Sequence, residues 1–294
     1  MSISKKDISV IIVSFKSDHV IHKCIKSIDK SIDILVVDNS NNYEFKKNVE
    51  RKYKNVKCIL SNNNIGMGAG NNLAIKNLKK KFALILNPDV LLKKNTIKEI
   101  IEASKNIKSF AILAPISDQK ENLNYKLENN EIDKVDESSP FKVKSVDGFA
   151  MLLNIKKLKK IKNFNFFDEN FFLYLENDDL CKRIIDYKEN IYVIPRSKIK
   201  HLGGKAVNPK YKNEIEFSRN WHWMWSKFYY NKKHYGYSIA IIKVLKNMLS
   251  SKLKFIYYSL TFNHYKRKIY QMRLLGLLNS MIGIKSFYRP KIKN

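Results

Sequence analysis

The eight residues ISVIIVSF at positions 8–15 set the architecture, because they are apolar almost throughout instead of alternating with polar residues. A strand of that kind is buried on both faces, as in a parallel sheet covered by helices. Similar apolar runs recur along the chain, at Asp33–Asp38, Val56–Ser61, Phe82–Leu86 and Phe110–Ala114. Segments with helical spacing lie between them, at about 18–29, 44–53, 69–79 and 95–106. The pattern predicts an α/β fold with a mostly parallel sheet and flanking crossover helices.

The middle of the chain is less regular. The polar segment 118–144 has little periodicity, which predicts a loop. An apolar run at Val146–Leu153 then predicts one continuous strand. We expect a helix that begins at Glu176 and a further strand over Ile191–Pro195.

Several predicted strands end in polar residues, and ligands of such sheets bind beyond the carboxyl ends of the strands. Asp38 could accept a hydrogen bond from the N–H of a uracil or thymine, or it could be a turn residue. Asp89, which follows Asn87 and Pro88, could bind a divalent cation that bridges to a diphosphate. An Asp in that position could equally cap a helix or form a turn.

The loop SNNNIGMGAGNN at residues 61–72 is rich in glycine and asparagine. Its glycines allow a close backbone approach, and the helix predicted to follow it offers N–H groups to a phosphate or ribose. A dinucleotide-binding fingerprint would instead follow the first strand with G-x-G-x-x-G spacing. This loop follows the third strand and has G-x-G-x-G, which disfavours a Rossmann dehydrogenase.

Three carboxylates crowd the start of the helix predicted at Glu176, since Asp178 and Asp179 follow it closely. The helix dipole favours acids at that end. The same cluster also fits a site that needs a general base. His201, which precedes Gly203 and Gly204, is either a metal ligand or an ordinary loop histidine.

The chain is strongly basic, with 56 Lys and Arg against 27 Asp and Glu in 294 residues, a net charge of +29. Such a charge suggests nucleic acid, phosphorylated ligands or an acidic membrane as partners, although a bias toward Lys, Asn and Ile explains part of it. Cys24, Cys58 and Cys181 are odd in number and far apart, so neither a disulfide framework nor a zinc site is indicated. Without a signal peptide or an apolar run of about 20 residues, we expect a reducing, cytosolic location.

From Trp221 to the end the sequence has 15 Lys and Arg and no Asp or Glu. All three tryptophans fall within residues 221–225. Apolar residues then recur with helical spacing, at Ile242, Leu245, Leu249, Leu253 and Ile256. Basic amphipathic helices with clustered aromatics lie at membrane interfaces, which is the interpretation we favour. The alternative is a helix that packs on the rest of the protein and leaves its basic face in water.

The order of these motifs resembles the inverting glycosyltransferases of family 2 with the GT-A fold, and especially their rhamnosyltransferase-like branch. The matching motifs are Ser14-Phe15, VVDNS at 36–40, NIG at 64–66, GNN at 70–72, LNPD at 86–89, GFAM at 148–151, FDENFFLYLE at 167–176, DLCKR at 179–183 and His201. The match spans about residues 8–204. It implies a GT-A catalytic domain over 1–215 and a basic, aromatic, membrane-associating helical region over 216–294.

The resemblance implies a role for each matching position. A nucleoside-diphosphate sugar of the UDP or dTDP type would be bound by Ser14, Asp38, Asn64, Gly66, Asn71, Asn87 and Asp89. Asp89 and His201 would bind Mg²⁺ or Mn²⁺, with Asn87 in place of the first acid of the usual pair. Glu176, Asp178 and Asp179 would be the acids on the acceptor side. The commonest family motif has an acid where this chain has Asn177, so Asp178 is the expected general base, slightly ahead of Glu176.

These inferences predict a peripheral enzyme on the inner face of the cytoplasmic membrane. It would transfer a rhamnose-like sugar, with inversion, to a glycan or lipid-linked acceptor in surface polysaccharide synthesis. One alternative is a degenerate relative that lost its base at Asn177. Another is a non-catalytic basic protein that binds membrane or nucleic acid. Nucleic acid is not an expected partner, because the half of the chain with the sheet holds nearly all of the acids.

Overall fold

The computed structural model describes residues 3–118, 123–127 and 138–292. The chain divides into two compact units. The first, the sheet unit, comprises Met1–Asp168 and Asn177–Asn208. The second, the helical unit, comprises Glu169–Glu176 and Pro209–Asn294.

Strands and helices alternate through the sheet unit. The strands are β1 (Ile8–Ser14), β2 (Asp33–Asp38), β3 (Val56–Leu60), β4 (Phe82–Leu86), β5 (Val90–Leu92), β6 (Ile112–Ser117), β7 (Tyr125–Lys126), β8 (Phe141–Lys142), β9 (Ser145–Val146), β10 (Ala150–Asn154) and β11 (Ile191–His201). The helices are α1 (Asp18–Lys26), α2 (Tyr43–Lys52), α3 (Met67–Lys76), α4 (Thr96–Asn106), α5 (Ile155–Leu158) and α6 (Glu176–Asp186). The first residue of α6 is grouped with the helical unit.

Within the described residues, nine strands form one sheet in the order β3-β2-β1-β4-β10-β6-β11-β5, and β8 pairs with β11. Strands β1 to β4, β6 and β11 run in one direction, and β5, β8 and β10 run in the other. The predicted α/β fold with a mostly parallel sheet is therefore confirmed. Because β1 lies between β2 and β4, the carboxyl ends of these three strands meet at one edge.

The core explains why the strands are apolar throughout. In β1, Val10 and Ile12 pack into the cluster on one face of the sheet, while Ile11 packs into the cluster on the other. Burial of each such side chain contributes about 1.5–3 kcal/mol. The three cysteines are buried, free thiols.

Three predicted strands need correction. The run Val146–Leu153 is not one strand, because β9 pairs with β7 in a separate two-stranded ladder and the main sheet resumes only at Ala150. The strand predicted at Phe110–Ala114 lies later, at Ile112–Ser117, where it pairs with β11. The strand predicted at Ile191–Pro195 continues to His201, because its second half pairs with β5. Of the predicted loop 118–144, the segments 119–122 and 128–137 lie outside the described residues, and the rest contains β7 and β8.

The helical unit consists mainly of α7 (Lys212–Tyr235), α8 (Tyr237–Leu260) and α9 (His264–Met281). Helices α7 and α9 are in backbone contact, because a Cβ at Gly276 would lie 2.1 Å from the carbonyl oxygen of Trp221. The Ser280 hydroxyl donates to the Trp225 carbonyl at 2.9 Å. Trp221 and Trp225 are only 1% and 3% exposed, whereas Trp223 is 37% exposed. The tryptophan cluster is therefore mostly core, and only Trp223 fits the expected interfacial aromatics.

Helix α8 leaves a row of large apolar side chains exposed. It consists of Ile242, Leu245, Leu249, Leu253, Ile256 and Leu260, which are between 43% and 74% exposed. We call it the α8 face. Ala240 and Val244, on the other side of the helix, are buried in the small core of the helical unit. Across the part of the chain that the structure describes, no helix combines the length and apolar character needed to cross a bilayer.

Several lysines of the helical unit form cation–π contacts with aromatic rings. The sequence has no Asp or Glu after Glu216 with which they could pair. Lys243 Nζ lies 4.3 Å from the Tyr235 ring centroid, and Lys254 Nζ lies 5.4 Å from that of Tyr270. The negative face of an aromatic ring attracts a cation, by about 0.5–1 kcal/mol at exposed sites.

His222 is buried in the helical unit as a neutral ring. Its Nε2 donates to the Tyr288 carbonyl at 2.8 Å, which leaves Nδ1 to accept from the Ser286 hydroxyl at 3.0 Å. Burial lowers the pKa of His222 to about 3. In the unfolded chain a histidine has a pKa of about 6.5. Between about pH 6.5 and 3 the unfolded chain therefore binds a proton at His222 that the folded protein does not bind.

We therefore expect the free energy of unfolding to fall as pH drops from about 6.5 toward 3, by at most about 1.4 kcal/mol per pH unit from this residue. The His222→Gln variant should have a shallower dependence of Tm on pH over that window. The exposed His264→Gln variant is the matched control and should follow the wild type. Parallel curves for wild type and His222→Gln would contradict the assignment.

Candidate functional site

The carboxyl ends of β1 and β2 are fastened to the loop before α3. Ser14 and Asp38 are register partners at the ends of their strands. The Asn39 backbone N–H donates to the Ser14 carbonyl at 2.8 Å, and its side-chain amide donates to the Gly66 carbonyl at 2.9 Å. Three of the loops that the sequence analysis singled out are thus joined by hydrogen bonds.

Two glycines position the start of α3. Gly66, the residue before the helix, has φ 88°, a conformation that other residues rarely adopt. The Asn64 side-chain oxygen accepts from the Gly66 N–H at 3.2 Å and holds this turn. A Cβ at Gly70 would lie 2.8 Å from a methyl group of Val13, so only glycine allows α3 to pack this closely on β1. The first turn of α3, with its free N–H groups, therefore starts at the edge of the sheet.

Asp38 is buried and shapes the loop after β2. Its carboxylate accepts from the Ser40 N–H at 3.2 Å and from the Asn42 N–H at 2.9 Å. Burial raises the pKa of Asp38, while these hydrogen bonds oppose that shift. These hydrogen bonds make Asp38 a turn residue, which is one of its two interpretations from the sequence.

Several buried polar atoms at this edge have no hydrogen-bond partner among the described residues. They are Ser14 Oγ, Asn39 Oδ1, both amide atoms of Asn71 and Asp89 Oδ1. Burial of an unpaired polar group costs about 1–3 kcal/mol, so native proteins rarely keep several together without a ligand. Four such residues at one sheet edge indicate a site for a polar ligand.

Asp89 and His201 come together from separate strands. His201 is the last residue of β11 and pairs in register with Val90, next to Asp89. Its Nε2 lies 3.6 Å from Asp89 Oδ1, and its ring stacks on Phe149 with centroids 4.1 Å apart. The second oxygen of Asp89 accepts from the Lys205 N–H at 3.1 Å.

This pair fits a divalent cation in part. Two bonds of about 2.1 Å to a shared cation can span the separation of these two atoms. Within residues 3–118, 123–127 and 138–292, no group of three or more His, Cys, Asp or Glu side chains converges as a metal centre. The described residues would therefore offer a cation two side-chain ligands, and a bound diphosphate would have to supply others.

The acids at the start of α6 have different surroundings. Asp179 is fully buried and accepts from Arg183 Nε at 2.8 Å, and the same guanidinium donates to the carbonyls of Asn165 and Phe166. Asp178 is partly exposed and forms an ion pair with Lys126 Nζ at 2.5 Å. Glu176 is 3% exposed. The side chain of Asp179 thus anchors the loop before α6.

Asn177 contacts the turn that contains Asp147, which the sequence analysis did not anticipate. The Asn177 side-chain amide donates to the Val146 carbonyl at 2.9 Å. Asp147 follows in the turn between β9 and β10, and burial raises the pKa of its carboxyl, to which the charge of Asp178 adds. Asp147 was missed because the run Val146–Leu153 was interpreted as one strand. The acid directly before Gly148 was the available signal.

Loss of the Asp179 anchor should affect stability. We expect Asp179→Asn to lower the free energy of unfolding by about 1.5–3 kcal/mol, because it replaces the charged acceptor of the Arg183 hydrogen bond with a neutral amide. Asp186→Asn, at the far end of the same helix, breaks an exposed ion pair with Lys182 and should cost less than about 1 kcal/mol. Thermal or urea unfolding measures both variants. Equal stability of the two variants would contradict the structural role of Asp179.

The sheet topology and the polar carboxyl edge define a GT-A-type α/β domain. The chain belongs to glycosyl transferase family 2, because a profile of the family described as "Glycosyl transferase family 2" matches residues 9–174. The resemblance stated from the sequence motifs is therefore confirmed.

Two curated relatives are distant. The low-salt glycan biosynthesis hexosyltransferase Agl10 of Haloferax volcanii is 26% identical over 213 residues, which are 64% of this chain and 64% of that protein. The rhamnosyltransferase WbbL of Escherichia coli is 24% identical over 213 residues, 63% of this chain and 80% of that protein. The chain thus spans slightly less than two thirds of the archaeal relative.

Solved structures share the fold at low identity. The mannosyltransferase PcManGT from Pyrobaculum calidifontis in complex with GDP-Man and Mn²⁺ has a TM-score of 0.57 at 11% identity, with 94% of this chain and 87% of that chain covered. S. aureus TarS 1-349 in complex with UDP-GlcNAc has a TM-score of 0.53 at 16% identity, with 96% and 93% covered.

Proposed function

We propose that this chain transfers a sugar from a nucleoside-diphosphate donor to a hydroxyl acceptor. The observation that carries the proposal is the set of buried, unpartnered polar atoms on Ser14, Asn39, Asn71 and Asp89 at the carboxyl edge of the sheet. A nucleotide bound there would provide their partners. Two relatives named as a hexosyltransferase and a rhamnosyltransferase support the same class of reaction.

The donor would lie across the strand ends, with its base toward Asp38 and Ser14. The α3 N-terminus, with Asn64, Gly66 and Asn71, would receive the ribose and diphosphate, because free N–H groups there attract anions. The donor is of the UDP or dTDP type in our proposal, and the sugar is rhamnose-like.

Asp89 and His201, with Asn87 nearby in sequence, would hold Mg²⁺ or Mn²⁺. The cation, when bound, would neutralise charge that develops on the departing diphosphate. The structural neighbour PcManGT is in complex with GDP-Man and Mn²⁺, which supports a divalent cation in this fold.

Acids on the acceptor side would complete an inverting transfer, in which a base takes the proton of the acceptor hydroxyl. Glu176, Asp178 and Asp179 stay predictions for this side. Asp179 already has a structural partner in Arg183, and Asp178 has one in Lys126.

Nucleotide binding tests this proposal. UDP or dTDP at 100 times its Kd should stabilise the protein by about 2.7 kcal/mol, which is a Tm increase of several degrees. The increase should depend on Mg²⁺ or Mn²⁺, and Asp89→Ala should abolish it. Asp118→Ala, an exposed acid paired with Lys93, is the control and should keep the shift. If neither nucleotide changes Tm, with or without metal, the donor site is refuted.

We further propose that the helical region over 216–294 docks on an anionic membrane surface and brings the catalytic domain over 1–215 to a lipid-linked or glycan acceptor. The α8 face supports this, because six large apolar residues in a row are costly to leave in water. Exposed lysines on the same helix, Lys243, Lys246, Lys252 and Lys254, complement anionic headgroups. The protein would then work at the inner face of the cytoplasmic membrane, in surface polysaccharide synthesis.

Flotation with vesicles tests the docking surface. The protein should float with phosphatidylglycerol-containing vesicles, bind less as salt rises, and bind phosphatidylcholine vesicles weakly. Ile242→Ser combined with Leu253→Ser should reduce binding at least about ten-fold, because both residues are more than two-thirds exposed on the α8 face. Ile282→Ser, 72% exposed but outside that face, is the matched control.

Two results would refute the docking surface. One is equal recovery of the protein on neutral and anionic vesicles. The other is a concentration-dependent dimer that the double variant dissolves, which would assign the α8 face to a second copy of the chain.

A further inference from the structure

The turn between β9 and β10 places an acid beside the position that lacks one. Asn177 donates to the Val146 carbonyl, so its side chain is joined to the peptide group that links Val146 to Asp147. A Cβ on Gly148 would lie 3.1 Å from Asn177 Cβ, which shows how closely α6 packs on this turn. Asp147 therefore sits next to the helix position where the commonest family motif carries its acid.

We propose that Asp147 is the general base of this enzyme and that Asn177 positions it. The inference rests on the proposed sugar transfer and names the group that takes the acceptor proton. In this proposal Asp147, and not Asp178, is the general base. An enzyme with asparagine at position 177 is then not degenerate, because its base lies elsewhere.

Two other acids at the start of α6 already have cationic partners. Asp178 is engaged in an ion pair with Lys126 Nζ at 2.5 Å. Asp179 is fully buried against Arg183. Among the described residues, no hydrogen bond or ion pair engages the carboxylate of Asp147, which is partly exposed. The Asp147 carboxylate is therefore available to an acceptor hydroxyl.

The same turn touches the donor side of the site. The Asn87 N–H donates to the Phe149 carbonyl at 2.9 Å, and the Phe149 ring stacks on His201. A Cβ on Gly148 would lie 3.5 Å from the terminal methyl of Met67, in the first turn of α3. The segment from Asp147 to Phe149 therefore lies between α6 and the residues proposed to bind the diphosphate and cation.

Electrostatics support the assignment. Burial raises the pKa of Asp147, the nearby charge of Asp178 raises it further, and Lys126 and His201 oppose both effects. A carboxylate with a raised pKa is a stronger base than an ordinary one. These groups come from α6, β7 and β11, so the elements around the turn together set the basicity.

The acceptor hydroxyl gives its proton to the Asp147 carboxylate, and the acceptor oxygen forms a bond to the anomeric carbon. The bond between that carbon and the diphosphate oxygen breaks, and its electron pair leaves with the nucleoside diphosphate. Asp147 then returns its proton to solvent.

Nucleotide release measures the step with water as the acceptor. The donor is the member of a panel of UDP-, dTDP- and GDP-sugars that raises Tm most. We expect Asp147→Asn to lower kcat about 10²–10⁴-fold. Asp178→Asn should lower it less than about ten-fold, and Asp186→Asn should leave it unchanged. Sodium formate should restore part of the rate to Asp147→Ala, which a merely structural role would not allow.

A second variant tests the partnership with Asn177. Asn177→Asp would place a carboxylate against the Val146 carbonyl, where only a donor fits, so we expect turnover to fall and not rise. The reverse ranking of Asp147→Asn and Asp178→Asn, or a gain of rate in Asn177→Asp, would overturn the proposal. Loss of the nucleotide-induced Tm shift in Asp147→Asn would overturn it too, by assigning Asp147 to donor binding. No release by the wild type from any donor would instead refute the proposed transferase function.

Discussion

Strand β1 pairs in parallel with β2 on one side and β4 on the other, and the rest of the site depends on that arrangement. Parallel neighbours end at the same edge, so polar residues far apart in sequence are brought together without any direct attraction between them. The close packing of α3 at Gly70 adds a helix N-terminus to this edge. The long strand β11 adds His201 from the other half of the sheet. The directions of the strands, and not attraction between the side chains, bring these polar residues together.

This arrangement leaves several buried polar atoms at the sheet edge without hydrogen-bond partners among the described residues, which costs stability. Ser14, Asn71 and Asp89 keep buried polar atoms that no described residue satisfies, although nearby backbone groups are well paired. A sheet edge of this kind is stabilised when a ligand supplies the missing partners, since anything that binds only the folded state adds to its stability. Binding energy and fold stability are therefore linked at this edge.

The fold class and the position of the candidate site could be predicted from the sequence. Strands that are apolar throughout imply a parallel sheet, and ligands of such a sheet bind at the carboxyl ends of its strands. Asp38, Asp89 and His201 followed from that logic and from the order of the motifs. Asp147 did not, because a turn inside an apolar run leaves no periodic signal and its neighbours Phe149 and Met151 look like strand residues. The tryptophan cluster misled for a related reason. Residue type alone does not say which face of α7 packs inward, and Trp221 and Trp225 turned out to be core.

The acid-free character of α8 and α9 has a further consequence. Their cations rest on rings such as Tyr235 and Tyr270 and have no carboxylates of their own to neutralise them. Positive charges therefore repel one another within the folded helical unit, and no internal ion pair relieves that strain across the acid-free segment 221–294. Dissolved ions screen this repulsion. If the unit docks on anionic lipid as proposed, added salt would have two opposite effects on it: weaker binding of the basic surface to the lipid and higher stability of the fold.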